Sequence, residues 1–147
     1  MNTATRFGLC LLTALPLSLA SLATQANELS PGLWEITAKL NSPAVPDAMR
    51  NQDRKECLTQ SQAANPEIAM RDSWKQEGCG AGEVNRSGNT LHWSTSCTMP
   101  GSNTPTKIRG EMVLHNPKHY STSITVTGNK QSMTTHSEAK WLGACDK

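Results

Sequence analysis

The chain has 147 residues, with 14 basic and 12 acidic side chains and a formal net charge of +2 at pH 7. A balance this close to neutral argues against binding to nucleic acid or to an anionic membrane surface, because both attract strongly basic proteins. The length fits one domain of ordinary size.

The first 26 residues have the order of a secretory signal peptide. One basic residue precedes an apolar run over residues 7–22, and small residues lead to Ala26. The run is too short and interrupted to span a bilayer, and Cys10 lies too early for a lipid anchor. We therefore predict that residues 1–26 are removed and that residues 27–147 form a single exported, soluble domain.

The stretch 31–40 alternates apolar and polar side chains, with Trp34 and Ile36 on the apolar side. Because successive side chains of a strand point to opposite faces, this pattern predicts a half-buried antiparallel strand. Similar alternation recurs over 108–115, 120–126 and 133–141.

A change of period after a second predicted strand at 53–58 indicates a helical insertion. Thr59 and Gln62 have the form of a capping box, and Pro66 suits the first position of a helix. The sequence predicts a short helix over 66–75, whose Met70 and Trp74, four residues apart, cover the sheet.

A two-residue hairpin turn is predicted at Gly88-Asn89, since glycine supplies the positive φ that such turns require. This register places Val84 opposite Trp93. It also brings Cys79 within one position of Cys97.

Four cysteines remain after the signal peptide, and an even number in a small exported domain predicts two disulfides. The hairpin favours Cys79–Cys97, which leaves Cys57–Cys145, although four cysteines allow three pairings and the sequence leaves the choice open. A zinc site is disfavoured because the chain has no Cys-x-x-Cys pair.

These elements predict a mainly β fold, an antiparallel meander of about seven strands with one short helical insertion. Such a sheet buries one face as a small barrel or as a sandwich. A strict meander of seven strands would separate Cys145 from Cys57, so this topology and the second disulfide conflict.

Three motifs occur together: Pro31-Gly32-Leu33-Trp34-Glu35, Cys57-Leu58-Thr59 and Trp141-x-Gly143-x-Cys145. With them, the chain resembles an uncharacterised family of small exported bacterial proteins, known only as a domain of unknown function. The resemblance implies periplasmic residence and a β-rich fold. It implies no activity, cofactor or catalytic residue.

The residues themselves carry no reaction signature. The chain has no Gly-x-Ser-x-Gly motif, and oxidised cysteines cannot act as nucleophiles. Glu35 and Glu111 fall on the predicted outward face, where carboxylates are ordinarily solvated. We therefore expect a non-enzymatic protein without a cofactor.

Binding of a small apolar or amphipathic ligand in the sheet interior is the first functional hypothesis. Trp34, Trp93, Tyr120 and Trp141 lie on the predicted inward face and are its candidate ligand-binding residues. We favour simple core packing as the explanation of these residues themselves. The alternative function is an envelope protein-interaction module that uses the loops at 42–51 and 99–107. We expect a monomer in either case.

His115 and His119 bracket the Asn116-Pro117-Lys118 turn and could approach each other. Imidazoles suit copper in an oxidising compartment, yet two ligands beside a turn make a poor site. We favour solvated edge histidines and predict no metal site.

Overall fold

The computed structural model describes residues 29–98, 101, 104–128 and 131–145. The predicted signal peptide, with Cys10, lies outside the described residues, as do positions 99, 100, 102 and 103 of the second predicted loop. The elements in chain order are β1 (Gly32–Asn41), a 3-10 helix (Asp47–Met49), β2 (Asn51–Leu58), α1 (Gln60–Ala64), α2 (Pro66–Gln76), β3 (Glu83–Ser87), β4 (Thr90–Cys97), β5 (Thr106–Asn116), β6 (His119–Gly128) and β7 (Gln131–Gly143).

The seven strands form one antiparallel sheet in the order β2-β1-β7-β6-β5-β4-β3. The predicted mainly β fold, its seven strands and its helical insertion between β2 and β3 are confirmed. The insertion contains two helices rather than one. Neither predicted form of the sheet is present in the described residues: the seven strands make one sheet and not a sandwich of two, and it is not a closed barrel, because β2 and β3 are its two edges.

The first strand lies inside the sheet, between β2 and β7, and this placement explains the second disulfide. Leu33 pairs with Cys57 on one side and with Gly143 on the other. The chain end is thereby brought beside β2, which a strict meander could not achieve. Both favoured disulfides are present: Cys57–Cys145, with Cα atoms 5.8 Å apart, and Cys79–Cys97, at 4.0 Å.

The predicted β3–β4 hairpin is confirmed in register, with Val84 opposite Trp93. Its turn residue Gly88 has φ +58°, the left-handed conformation that favours glycine. A Cβ added to Gly110 on β5 would lie 2.1 Å from the Trp93 indole. The indole therefore covers the backbone of its cross-strand neighbour, which only glycine permits.

Two contacts fix α2 against the β3 edge of the sheet. Arg86 of β3 forms an ion pair with Glu67 in the first turn of α2, at 2.5 Å, and both side chains are largely buried. Trp74 packs on Gly82, where an added Cβ would lie 2.6 Å from the ring. The capping box at Thr59 also forms, through the Gln62 side chain.

Within the described residues, no helix is long and apolar enough to cross a membrane.

The inward face of the sheet is packed tightly at the end where β1 begins and β7 ends, which we call the closed end. The N-terminal segment covers it, since the Leu29 amide donates to the Ala63 carbonyl (3.0 Å) and the Ser30 amide to that of Pro117 (2.7 Å). The buried residues of the closed end are Leu29, Trp34, Ile36, Ala63, Leu91, Leu114, Tyr120 and Ala139.

The opposite end of the inward face, where β1 ends and β7 begins, is the open end. Here Ile108, Ile124 and Val126 occupy inward positions yet remain partly exposed. The outward face carries charged and hydroxyl side chains throughout, as the alternation predicts. The inward face of the sheet is therefore fully covered at the closed end and only partly covered at the open end.

Candidate ligand-binding site

A cavity of about 720 Å³ lies between the inward face of the sheet and α2. On the sheet side its apolar wall is formed by Trp93, Ile108, Met112, Ile124 and Val126. These side chains share one face because inward positions of paired strands stay in register across the sheet.

The helical wall comes from one side of α2. Pro66, Ala69, Met70, Ser73 and Trp74 line the cavity, with spacings of three and four residues that place them on one face of a helix. Pro66 occupies the first turn of α2 and suits the start of a helix, while the capping box at Thr59 begins the preceding helix, α1.

Polar groups also reach the cavity. Arg54 and Glu56 come from β2, where both side chains are more than half exposed and their N–O distance is 3.8 Å. Thr122 and Ser137 add hydroxyl groups to the sheet wall. Gln62 of α1 and Asp72, Gln76 and Glu77 of α2 also line the cavity. An apolar sheet wall therefore faces a helical wall of mixed polarity.

Tyr120 lies where the cavity meets the closed end. Its ring is 5.1 Å from that of Trp34, centroid to centroid, and it also lines the cavity. Burial first, and then the Glu56 carboxylate, raise the pKa of the Tyr120 phenol to about 12, while Arg54 opposes the shift. The phenol is therefore neutral at physiological pH.

The four predicted ligand-binding residues separate into two pairs. Trp93 and Tyr120 line the cavity. Trp34 is fully buried in the core, and its Nε1 donates to the Ser30 carbonyl at 3.0 Å. Trp141 donates to the Pro31 carbonyl at 3.0 Å and lies under the Lys118 ammonium, 4.4 Å from its centroid. Neither of these two residues is part of the cavity lining.

Sequence reasoning missed that α2 forms the second wall. The four-residue spacing of Met70 and Trp74 predicts contact with the sheet but not a space between the helix and the sheet. One sequence signal could have indicated a cavity: the small side chains of Ala69 and Ser73 lie between larger residues on that face of the helix. Small side chains leave space that a bulky residue would fill.

A second group of residues lies on the outward face at the closed end. The rings of His115 and His119 do approach each other, with centroids 4.5 Å apart. His119 Nε2 is 2.7 Å from Oε2 of Glu138 on β7, and His115 Nε2 is 2.8 Å from the Ser121 hydroxyl. Glu138 was not anticipated, although the β6–β7 register places it opposite Ser121 on this face.

The outward face also holds a groove of about 350 Å³. Hydroxyl and charged side chains line it, including Ser121, Ser123, His136 and Glu138. The inward cavity is twice as large and is bounded on the sheet side by aromatic and aliphatic side chains, so it is the stronger candidate for a small-molecule site.

Comparison with known proteins gives one match. The model of a family described as protein of unknown function (DUF3617) matches residues 29–145. The searches of curated proteins and of solved structures return no match to this chain.

The matched segment covers both disulfides, all seven strands and both helices. The resemblance to an uncharacterised family of unknown function is thereby confirmed. The chain belongs to the DUF3617 family of proteins of unknown function.

Proposed function

We propose that this protein is a periplasmic binding protein that holds a small apolar or amphipathic molecule between the sheet and α2, without catalysing a reaction on it. The observation that carries the proposal is the cavity of about 720 Å³ with an apolar sheet wall and polar groups on its other sides. Its volume falls within the range of roughly 300–1,000 Å³ that is typical of small-molecule sites.

The energetic argument rests on the open end. Ile108, Ile124 and Val126 are only partly buried, so their apolar surface still contacts water. A ligand that covers them would be stabilised by about 0.8 kcal/mol for each CH₂ group transferred from water. A chain of several methylene groups would therefore bind appreciably after the entropy loss of association is subtracted.

The charged pair on β2 supports an amphipathic rather than a purely apolar ligand. Arg54 and Glu56 are well exposed and lie on the strand that forms one edge of the sheet. A polar head group can remain hydrated beside them while an apolar tail contacts the sheet. Such an arrangement avoids burying the polar group at a cost.

Residence outside the cytosol is supported by the disulfides. Two disulfides within 117 matched residues, 29–145, indicate an oxidising compartment. With the signal peptide predicted from residues 1–26, this favours the periplasm as the place where the ligand is met.

The test uses N-phenyl-1-naphthylamine, a neutral apolar dye that fluoresces when it leaves water. We expect saturable dye fluorescence with the wild-type protein, and competition by decanoate. Ala69→Phe places a ring inside the cavity and should weaken dye binding at least about 10-fold, equivalent to about 1.4 kcal/mol.

The matched control is Ala48→Phe, an alanine in the exposed 3-10 helix away from the cavity. It adds the same side chain and should leave dye binding unchanged. Wild-type protein that binds no dye, or equal losses in both variants with native circular dichroism, would overturn the proposal.

A further inference from the structure

We propose that His115, His119 and Glu138 bind a divalent transition-metal ion of the Zn²⁺ or Cu²⁺ class on the outward face of the sheet. One ligand atom from each of the three side chains lies within 4.8 Å of the others. This site is separate from the inward cavity and does not depend on a ligand there.

Three neighbouring strands supply the three residues. His115 belongs to β5, His119 to β6 and Glu138 to β7. The β5–β6 register shifts between Leu114 and Asn116, so His115 is an extra residue in β5 at this point. Hydrogen-bonded strands fix the spacing of their side chains more firmly than a flexible loop would. The objection that two histidines beside a turn make a poor site is met by the carboxylate from the third strand.

The donor set matches the chemistry of these ions. Two imidazoles and one carboxylate are ligands that Zn²⁺ accepts, with a fourth position left for water. Harder ions such as Mg²⁺ and Ca²⁺ prefer oxygen ligands alone. The same set therefore discriminates against the commonest divalent ions.

The distances are close to those that a metal requires. Bonds of about 2.0–2.1 Å in tetrahedral geometry place ligand atoms about 3.4 Å apart. The His119–Glu138 pair is already nearer, at 2.7 Å, and the widest separation is at most 4.8 Å. Because all three side chains are at least partly exposed, a small rotation of each can close the set around an ion.

The surroundings contain an orienting group and nearby positive charges. The Ser121 hydroxyl bonds to Nε2 of His115 at 2.8 Å, and hydrogen bonds of this kind orient imidazole rings at metal sites. The Lys118 ammonium lies over the Trp141 ring, while Lys140 lies opposite His119 on β7. Glu35 of β1 occupies the register position opposite Lys140.

The experiment is calorimetric titration of the untagged, disulfide-bonded protein with ZnCl₂, and separately with CuCl₂ and MgCl₂. We expect one Zn²⁺ and one Cu²⁺ per chain, with tighter Cu²⁺ binding, and no heat from Mg²⁺. His119→Asn and Glu138→Gln should each weaken Zn²⁺ binding at least about 10-fold, since even outer partners are worth that much.

The control is His92→Asn. His92 is an outward histidine whose Nδ1 lies 3.4 Å from a carboxylate oxygen of Glu111. This pair resembles the His119–Glu138 pair but, among the described residues, has no second histidine in a metal-ligand cluster. It should leave Zn²⁺ binding unchanged. Binding of no transition metal, or equal weakening by His92→Asn and His119→Asn, would overturn the proposal. Cu²⁺ electron paramagnetic resonance adds a second measurement: coupling to two imidazole nitrogens is expected, and coupling to fewer contradicts the site.

Discussion

The closed and open ends of the inward sheet face share one alternating pattern but have different surroundings. At the closed end, Trp34 and Leu114 are 0% and 3% exposed, beneath the N-terminal segment and α1. At the open end, Ile124 and Val126 follow the same alternation on β6 yet stay partly exposed. The strand pattern is therefore alike, and the covering elements make the difference.

Apolar alternation therefore indicates which face of a strand turns inward, and it does not indicate how fully that face is covered. Leu29 and Ala63 complete the closed end. Towards the open end α2 stands over the sheet and borders a cavity, whose lining extends to Leu29 and Ile36 of the closed end. The first region contributes to stability, and the second supplies the surface that we assign to a ligand.

The largest expected effect on the free energy of unfolding comes from removing the disulfides that cross-link the two ends. Replacing Cys57 and Cys145 by serine opens a loop with a sequence separation of 88, against 18 for Cys79 and Cys97. The loss of unfolding free energy should be about 4–5 kcal/mol for the first pair and about 3 kcal/mol for the second. Urea unfolding of both double variants measures this, and a larger loss for Cys79/Cys97 would reverse the expected ranking of the ends.

A smaller effect comes from removing matched aliphatic side chains. Leu114→Ala leaves a cavity in the packed core and should cost about 3 kcal/mol. Ile124→Ala, at the partly exposed open end, should cost about 1 kcal/mol, because less surface is returned to water and no closed void forms. Equal losses in chemical unfolding would show that the two ends are packed alike.

The last effect, smaller than those of the disulfides and of Leu114→Ala, is a pH dependence at the boundary between the ends. Because burial raises the pKa of Tyr120 to about 12, the folded phenol keeps its proton above pH 10, where the unfolded phenol loses it. The stability that Tyr120 contributes is complete below about pH 10 and is lost as pH rises towards 12. Wild-type protein should therefore lose about 2 kcal/mol more than Tyr120→Phe by about pH 11.5. Parallel losses in the two proteins, measured by urea unfolding at each pH, would contradict this burial.

Much of the architecture could be predicted from local patterns. Alternation identified the inward residues of β1, and glycine in the two-residue turn fixed the β3–β4 register, which in turn paired Cys79 with Cys97. The capping box and Pro66 located the helices. These signals act between residues close in the chain, so a single sequence contains them.

The rest depends on contacts between distant segments. Nothing local indicates that β1 inserts between β2 and β7, and the disulfide Cys57–Cys145 gave the only hint of it. The same long-range pairing decides that Trp34 enters the core while Trp93 reaches the cavity. It also places Glu138 beside His119, which lies 19 residues away in the chain.

The four tryptophans allow the most direct measurement of the proposed ligand site. Trp74 and Trp93 line the cavity, whereas Trp34 and Trp141 bond to backbone carbonyls outside it. In ¹H–¹⁵N spectra recorded during titration with N-phenyl-1-naphthylamine, the indole signals of Trp74 and Trp93 should shift and saturate together, while those of Trp34 and Trp141 stay in place. Shifts confined to Trp34 or Trp141, or no shift at any indole, would contradict a ligand site at the open end.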